Sequence, residues 1–193
     1  MYLNISNYLK IDAKIYNQVQ ITKNMTSTYY NSIAKGYNDL YKKEQLKKLD
    51  LIYSEIKNLN INLDKIKTIL DVGCGTGVSS DFFSEKGFEV IGIDPSENLI
   101  KENKKGISKL IKASAEEIPF EDKSFDLIIS LTAIQNFSDL EKGLKEIKRV
   151  GKNKFILTFL NNVKQTDLIN KTIKEIFDVK KEIISKDRIY FIY

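Results

Sequence analysis

From about residue 66 to the C-terminus, short apolar runs alternate with stretches of helical periodicity. The runs "IKTILDV", "FEVIGID", "SKLIKAS", "FDLIISL" and "KFILTFL" have the length and continuous hydrophobicity of buried strands. The stretches between them, "SSDFFSEKG", "SENLIKENKK" and "SDLEKGLKEIKRV", are typical of helices. In the last of these, Ser138 and Glu141 have capping-box spacing, which predicts a helix that begins at Ser138. Strands that alternate with helices predict a parallel sheet with helices on both faces.

The C-terminal end of the chain departs from this alternation. A helix near "TDLINKTIKEIF" is followed by "VKKEIIS", a turn at "KDR", and "IYFIY". Two strands joined by so short a connection are antiparallel. We therefore predict an α/β fold with a Rossmann-like, doubly wound, seven-stranded sheet that is mostly parallel and has one antiparallel C-terminal strand.

The chain before residue 66 is predicted to be mainly helical. Apolar and aromatic residues recur at helical spacing in two stretches, as Tyr30, Ile33 and Tyr37 and again as Leu49, Ile52 and Ile56. Residues 1–24 are predicted to form a further helix. We expect a single domain over residues 1–193, with a helical lid at 1–60 and an α/β core at 61–193.

Composition excludes several classes of function. The 193 residues include no histidine and a single cysteine, so histidine-based catalysis and a metal site are not expected. The net charge of +5 is almost entirely lysine, with Arg149 and Arg188 as the only arginines, which favours a solvated surface over a nucleic-acid footprint. One cysteine, no run of membrane-spanning length and no signal peptide favour a cytoplasmic protein without membrane contact.

The stretch "ILDVGCGTG" carries the strongest functional signal. Here a strand ends at a carboxylate, Asp71, and glycines follow at 73, 75 and 77. Glycines at such a turn let a ligand approach the backbone closely. A dinucleotide site needs G-x-G-x-x-G, but Val78 stands at the third glycine position, and Asp71 would repel a pyrophosphate. A cationic ligand without phosphate fits this turn better.

A second acid indicates a ribose in that ligand. Asp94 ends the next strand, about 20 residues after the glycine turn, where a carboxylate can bind both ribose hydroxyls. S-adenosylmethionine combines a sulfonium, an ammonium and a ribosyl adenine. The two acids and the glycine spacing together predict this ligand.

The chain from about Met25 to Tyr193 resembles the class I S-adenosylmethionine-dependent methyltransferases. "ILDVGCGTG" resembles the first motif of that family, "IGIDPSENLI" the second, and "ASAEEIPFEDKSFDLIIS" the third and fourth. "YYNSIAKGYNDLY" resembles the tyrosine-bearing N-terminal helix of the ubiquinone/menaquinone-biosynthesis-type subgroup. The resemblance implies S-adenosyl-L-methionine as cofactor, S-adenosyl-L-homocysteine as product, and no metal.

The resemblance also implies roles for individual residues. Asp71, Gly73 and Gly75 should face the methionine part of the cofactor, with Cys74 in the same turn, and Asp94 should bind the ribose. The remaining predicted cofactor contacts lie beside the adenine or the transferred methyl group: Pro95, Ser96, Ser114, Ala115, Glu116, Leu131 and Thr132. Tyr30 and Tyr37 should close over cofactor or substrate and are the candidate catalytic residues.

Two departures from the family pattern stand out. Ser114 occupies a position where the family often has an acid that accepts from the adenine amino group. After the fourth strand, where many relatives carry a histidine, this chain reads "TAIQNFSD", so Gln135 or Asn136 fills that space.

The identity of the methyl acceptor stays open at this point. Methyl transfer is an in-line displacement that depends mainly on positioning, so no general base is required. The short segment "NNVKQ" after the fifth strand fits a small or a macromolecular acceptor equally, whereas the lack of an appended binding domain and the scarcity of arginine favour a small molecule. We expect a monomer or homodimer. The alternatives are a methyltransferase for tRNA, rRNA or protein, and a non-catalytic S-adenosylmethionine-binding subunit that activates a partner; a dinucleotide oxidoreductase fits less well.

Overall fold

The structure, a computed structural model, describes residues 26–193. The helix predicted for residues 1–24 lies outside these residues. The strands are β1 (Thr68–Val72), β2 (Glu89–Asp94), β3 (Lys109–Lys112), β4 (Leu127–Ser130), β5 (Phe155–Leu160), β6 (Lys181–Ile184) and β7 (Asp187–Ile192). The α-helices are α1 (Thr26–Asn58), α2 (Val78–Ser84), α3 (Glu97–Lys101), α4 (Leu140–Val150) and α5 (Thr166–Ile176), and short 3-10 turns occupy Leu63–Lys65 and Ile134–Asn136.

The strands form one sheet in the order β3-β2-β1-β4-β5-β7-β6. Neighbours from β3 to β5 pair in parallel, whereas β7 is antiparallel to both β5 and β6. This arrangement confirms the predicted Rossmann-like fold class and its single antiparallel strand near the C-terminus. The strand order reverses between β1 and β4, and such a reversal opens a crevice at the carboxyl ends of the strands.

Two hydrophobic layers cover the faces of the sheet. On one face, Leu144, Ile147 and Val150 of α4 are fully buried, as their spacing predicts. The other face is covered by α2 and by the C-terminal half of α1, whose Leu49, Ile52 and Ile56 are each 1% exposed. The two helical stretches predicted before residue 66 are one continuous helix of 33 residues. The C-terminal half of helix α1 therefore packs on the α/β core.

The capping box predicted at Ser138 is wrong. Helix α4 begins at Leu140, and its cap is Asp139, whose side chain accepts a hydrogen bond from the Lys142 amide at 3.0 Å. Ser138 instead donates from its amide and its hydroxyl to Glu116 Oε1, at 2.7 and 2.9 Å. A carboxylate from a distant loop accepts both donors, and a charged acceptor binds them more strongly than a neutral one.

Asp126 joins the two central strands of the sheet where they begin. Its Oδ2 accepts hydrogen bonds from the amides of Lys67 and Thr68 at 2.9 and 3.0 Å, and its Oδ1 pairs with Lys152 Nζ at 2.6 Å. Burial disfavours the charged form, but the Lys152 and main-chain hydrogen bonds outweigh it and hold the pKa of Asp126 well below its ordinary range. The ionised carboxylate therefore stabilises the folded state.

Replacing this carboxylate tests its contribution to stability. We expect Asp126→Asn to lower the free energy of unfolding at pH 7 by about 1.5–3 kcal/mol, because charged hydrogen bonds are lost. The folded-state pKa is depressed, so the contribution is present above the unfolded pKa of about 4 and is lost as pH falls below it. Urea unfolding of both proteins at pH 7 and pH 3.5 measures this, and a difference that does not shrink at the lower pH contradicts it.

Candidate functional site

The glycine turn after β1 wraps over the end of β2. Gly73 and Cys74 donate their amides to the carbonyl of Ile93, at 2.8 and 3.0 Å. Gly73 and Gly75 have φ angles of 77° and 56°, in the left-handed region that favours glycine. A Cβ atom on Gly73 would lie 2.3 Å from Ala133 Cβ, so the backbone there meets the turn after β4 directly.

Asp94 joins this turn to the segment that follows β2. Its Oδ2 accepts from the Gly75 amide at 2.9 Å, and its Oδ1 accepts from the Ser96 amide at 2.8 Å. The residue is 7% exposed, and burial raises the pKa of its carboxyl although the two amides oppose the shift. Each oxygen has a second acceptor position, so the carboxylate retains the capacity to bind two further hydroxyls.

Asp71 lies behind the glycine turn, within the fold. It is fully buried, and its Oδ2 accepts from the hydroxyls of Ser79 and Ser80 at 2.6 and 2.7 Å. Burial raises the pKa of Asp71 to about 6, against the serine hydrogen bonds, and the nearby Asp94 charge adds to the rise. Its Oδ1 is buried and has no hydrogen-bond partner among the described residues.

A cavity of about 270 Å³ lies at the carboxyl ends of β1, β2 and β4, and we call it the central cavity. Every predicted site residue except Asp71 lines it: Tyr30, Tyr37, Gly73, Cys74, Gly75, Asp94, Pro95, Ser114, Ala115, Glu116, Leu131 and Thr132. No lysine or arginine from residues 26–193 is in its wall. Asp71 itself is not in the wall, although its hydrogen-bond partner Ser79 is, and direct contact of Asp71 with a ligand stays a prediction.

Helix α1 forms the roof of the central cavity. The Tyr30 hydroxyl accepts from Asn136 Nδ2 at 3.0 Å, which ties the roof to the turn after β4. The Tyr37 hydroxyl accepts from Gln45 Nε2 at 3.3 Å. The Tyr30 and Tyr37 rings meet edge to face, with centroids 6.1 Å apart. The two predicted catalytic tyrosines therefore lie together over the predicted cofactor residues.

Polar residues on α1 that sequence reasoning missed hold this roof in place. Asn31 Oδ1 accepts from Ser96 Oγ at 2.6 Å, and Asn38 Oδ1 accepts from Thr76 Oγ1 at 2.6 Å. Asn31, Asn38 and Gln45 recur at intervals of seven residues, which places them on one helical face. The seven-residue spacing of these amide side chains in the sequence indicates a helix face that packs on polar loops.

Other lining residues had weaker signals or none. Seven belong to the cavity wall but were not predicted as site residues: Gln45, Ser79, Leu99, Ala113, Ala133, Phe137 and Ser138. Most of them follow the strand ends at which predicted residues also lie, so only the sheet topology identifies them as neighbours. Ser96 and Asn136, which the resemblance placed in this region, also line the wall.

Cys74 and Glu116 have environments that define their chemistry. Cys74 is buried, and burial together with the charges of Asp71 and Asp94 raises the pKa of its thiol well above the ordinary value. It therefore stays a neutral thiol and not a nucleophilic thiolate. Glu116 Oε1 accepts from the Ser138 hydroxyl and from the amides of Ser138 and Asp139, so this carboxylate holds the loop that closes the cavity.

The residues of the central cavity fit an adenosyl ligand that carries positive charge. Two buried carboxylates flank a glycine turn that lines the cavity, and the described wall offers no cation for a phosphate. Within residues 26–193, no cluster of three or more acidic or cysteine side chains is placed to share a metal ion. In the same residues, no helix combines the length and apolar character that crossing a membrane requires.

Comparisons with known proteins agree with this fit. Residues 70–159 match the methyltransferase domain family. An uncharacterized protein of Methanocaldococcus jannaschii is 32% identical over 79% of this chain and 53% of its own length. A demethylmenaquinone methyltransferase of Corynebacterium kroppenstedtii is 29% identical over 72% of this chain and 55% of its own length. The chain thus spans about half the length of these curated relatives.

A solved structure shares the fold. Magnesium protoporphyrin IX methyltransferase from Synechocystis, with bound S-adenosylmethionine, superposes with a TM-score of 0.68 at 16% identity, covering 88% of this chain and 95% of that one. Fold and site together define an α/β domain with a cavity at the switch point of its sheet. By the match over residues 70–159, the chain is similar to S-adenosylmethionine-dependent methyltransferases, and its curated relatives include a demethylmenaquinone methyltransferase.

The close approach of Ala133 to Gly73 can be tested by adding a methyl group. We expect Gly73→Ala to lower the free energy of unfolding by about 2–4 kcal/mol, because left-handed strain and overpacking add. Gly75→Ala is the matched control, since its φ is also left-handed but the nearest atom to its Cβ would be Leu99 Cδ1 at 3.8 Å. Gly75→Ala should lower the free energy of unfolding by only about 1–2 kcal/mol.

Relief of the clash completes this test. Adding Ala133→Gly to Gly73→Ala removes the overpacking and should bring the loss back to that of Gly75→Ala, as measured by urea unfolding. Equal losses for the two single variants contradict the close approach.

Proposed function

We propose that this protein transfers a methyl group from S-adenosylmethionine to a nucleophile on a small molecule and releases S-adenosylhomocysteine. The observation that carries the proposal is the central cavity itself, in which Asp94 and the glycine turn form a cation-free, acidic wall at the switch point of the sheet. A sulfonium and an ammonium are attracted by such a wall, whereas a pyrophosphate is repelled.

The proposed binding mode assigns a task to each side of the cavity. Asp94 binds the two ribose hydroxyls with the acceptor positions that its main-chain partners leave free. Leu99, Ala113 and Ala115 provide an apolar surface for the adenine. Asp71, beneath the turn, contributes negative charge toward the amino-acid end.

Bound S-adenosylmethionine supplies an electrophilic methyl group. This chain contributes position and exclusion of water, which lower the barrier of a displacement without covalent chemistry by the protein. Leu131 and Thr132 border the methyl end of the cavity, opposite the tyrosines of the roof. Tyr30 and Tyr37 close over the acceptor, and their hydroxyls orient its nucleophilic atom.

The size of the cavity supports a small acceptor. Its volume of about 270 Å³ lies just below the usual range for ligand pockets, and α1 covers it, so it leaves little room for part of a macromolecule. A relative bears the name demethylmenaquinone methyltransferase, which agrees with a small acceptor but identifies none for this chain. We further propose one domain over residues 1–193, with α1 as part of the lid, acting as a monomer or homodimer.

The labelled-methyl experiment tests the class of acceptor. The protein is incubated with S-adenosylmethionine carrying a radiolabelled methyl group and with separated metabolite, RNA and protein pools. We expect label in the metabolite pool alone. Label in RNA or protein supports a macromolecular acceptor, and binding of the cofactor without transfer to any pool supports the non-catalytic subunit.

Removing the ribose acid tests the cofactor site. We expect Asp94→Asn to weaken S-adenosylhomocysteine binding by about tenfold or more, because charged hydrogen bonds to the ribose are lost. Asp81→Asn is the matched control, since Asp81 is also 7% exposed and hydrogen-bonded, to Ser108, but lies outside the central cavity. Calorimetry measures both; equal weakening, or tight NADH binding by the unaltered protein, rejects the assignment.

Removing one roof hydroxyl tests the catalytic role of the lid. We expect Tyr37→Phe to lower the rate of methyl transfer by about tenfold while cofactor affinity changes by less than about threefold, because the hydroxyl orients the acceptor only. Tyr53→Phe is the control, since Tyr53 packs against Phe82 and Phe83 away from the cavity. An unchanged rate of methyl transfer for Tyr37→Phe contradicts the catalytic role and indicates that Tyr37 only packs in the roof.

A further inference from the structure

Thr132, in the wall of the central cavity, has a left-handed backbone. Its φ is 57°, a conformation that β-branched residues rarely adopt. Such a residue persists only where its surroundings hold it, and residues of this kind cluster at functional sites. Thr132 follows β4, at the end of the sheet where the proposed methyl transfer takes place.

Three elements hold Thr132 in this conformation. Its amide donates to Thr158 Oγ1 on β5 at 2.7 Å. Its Oγ1 accepts from Lys48 Nζ of helix α1 at 2.6 Å and donates to Asp187 Oδ1 of β7 at 3.3 Å. Lys48 Nζ and Asp187 Oδ2 form an ion pair at 2.7 Å, with side chains only 8% and 6% exposed.

The position of Thr132 fixes the wall of the cavity. The next residue, Ala133, occupies the space that a side chain on Gly73 would need. A change at Thr132 is therefore transmitted to the glycine turn, which lies at the amino-acid end of the proposed ligand. The adenine side, at Leu99 and Ala113, is formed by other segments of the chain.

The geometry assigns to Lys48 a positioning role in the proposed methyl transfer. Together with Asp187, Lys48 holds Thr132 in its left-handed conformation. The shape of the cavity wall near the proposed methyl group therefore depends on the position of helix α1. This inference rests on the proposed function. Helix α1 then has a second role besides covering the cavity, because its Lys48 is the buried cation that holds Thr132 in the wall.

A plain anchoring role for Lys48 is the competing explanation. Helix α1 already has two other ion pairs to the C-terminal strands and their turn, Glu44 with Lys186 and Glu55 with Lys181, both more exposed. Burying a charge pair costs desolvation that apolar packing avoids, so anchoring alone does not require it. The hydrogen bond from Lys48 to Thr132 explains why a cation is buried at this point.

The double variant Lys48→Met/Asp187→Asn tests the proposal without leaving a buried charge unpaired. Thr132→Val is the second variant, which keeps the Lys48–Asp187 pair and the side-chain shape but removes the hydroxyl. Lys186→Met is the matched control. It breaks the exposed ion pair between Lys186, the neighbour of Asp187, and Glu44 of the same helix. Calorimetry with S-adenosylhomocysteine and with adenosine measures the two ends of the site separately, and thermal unfolding measures the fold.

We expect both test variants to bind S-adenosylhomocysteine at least about fivefold more weakly, with adenosine affinity unchanged within about twofold. Lys186→Met should change neither affinity. The proposal is overturned if the test variants bind both probes as the unaltered protein does, or if both affinities fall together with thermal stability, as anchoring predicts. If the unaltered protein itself binds neither probe, the proposed function fails, and this role fails with it.

Discussion

The hydrogen bonds that Asp94 accepts from Gly75 and Ser96 are the interaction on which the rest of the site depends. They join the turn after β1 to the segment after β2, at the point where the strand order reverses. A buried carboxylate keeps its charge only where donors compensate the loss of water, and here main-chain amides provide them. Asp94 is itself part of the cavity wall. The carboxylate that holds the turn in shape therefore also gives the cavity its acidic character.

Helix α1 has different tasks at its two ends. Toward the C-terminal end, the apolar residues Leu49, Ile52 and Ile56 pack on the sheet and fix the helix in place. Toward the N-terminal end, amides such as Asn31 and Asn38 contact the polar loops around the cavity. A roof that contacts polar loops can separate from them at lower cost than one that buries apolar surface, because water replaces the lost hydrogen bonds. In the proposed lid, the polar N-terminal half of the helix is therefore the side that opens, and the apolar C-terminal half is the side that stays in place.

Charge in the site is arranged so that the cavity stays acidic although the protein as a whole is basic. Among residues 26–193, the lysines other than Lys48 are exposed or half-buried, and many of them pair with nearby acids, as Lys105 does with Glu85. Lys48 donates a hydrogen bond to Thr132 in the cavity wall, but Asp187 neutralises its charge. A cationic ligand therefore meets Asp94 and the field of Asp71 without competition from an uncompensated lysine.

The local pattern of the sequence determined the strands, the fold class and the antiparallel C-terminal strand, and the family motifs in it identified most of the residues that line the cavity. Periodicity and glycine spacing act over a few residues, and strand ends of a parallel sheet meet at one edge whatever lies between them. Contacts between distant segments were decided only by the tertiary structure. Ser138 donates to Glu116, 22 positions away, instead of capping helix α4, and Lys48 donates to Thr132 across 84 positions. Asp71 was predicted to be a functional acid, and its place behind the turn depends on Ser79 and Ser80, which fold back beneath it. No local pattern encodes such pairings, because each results from competition among all the donors and acceptors that the fold brings together.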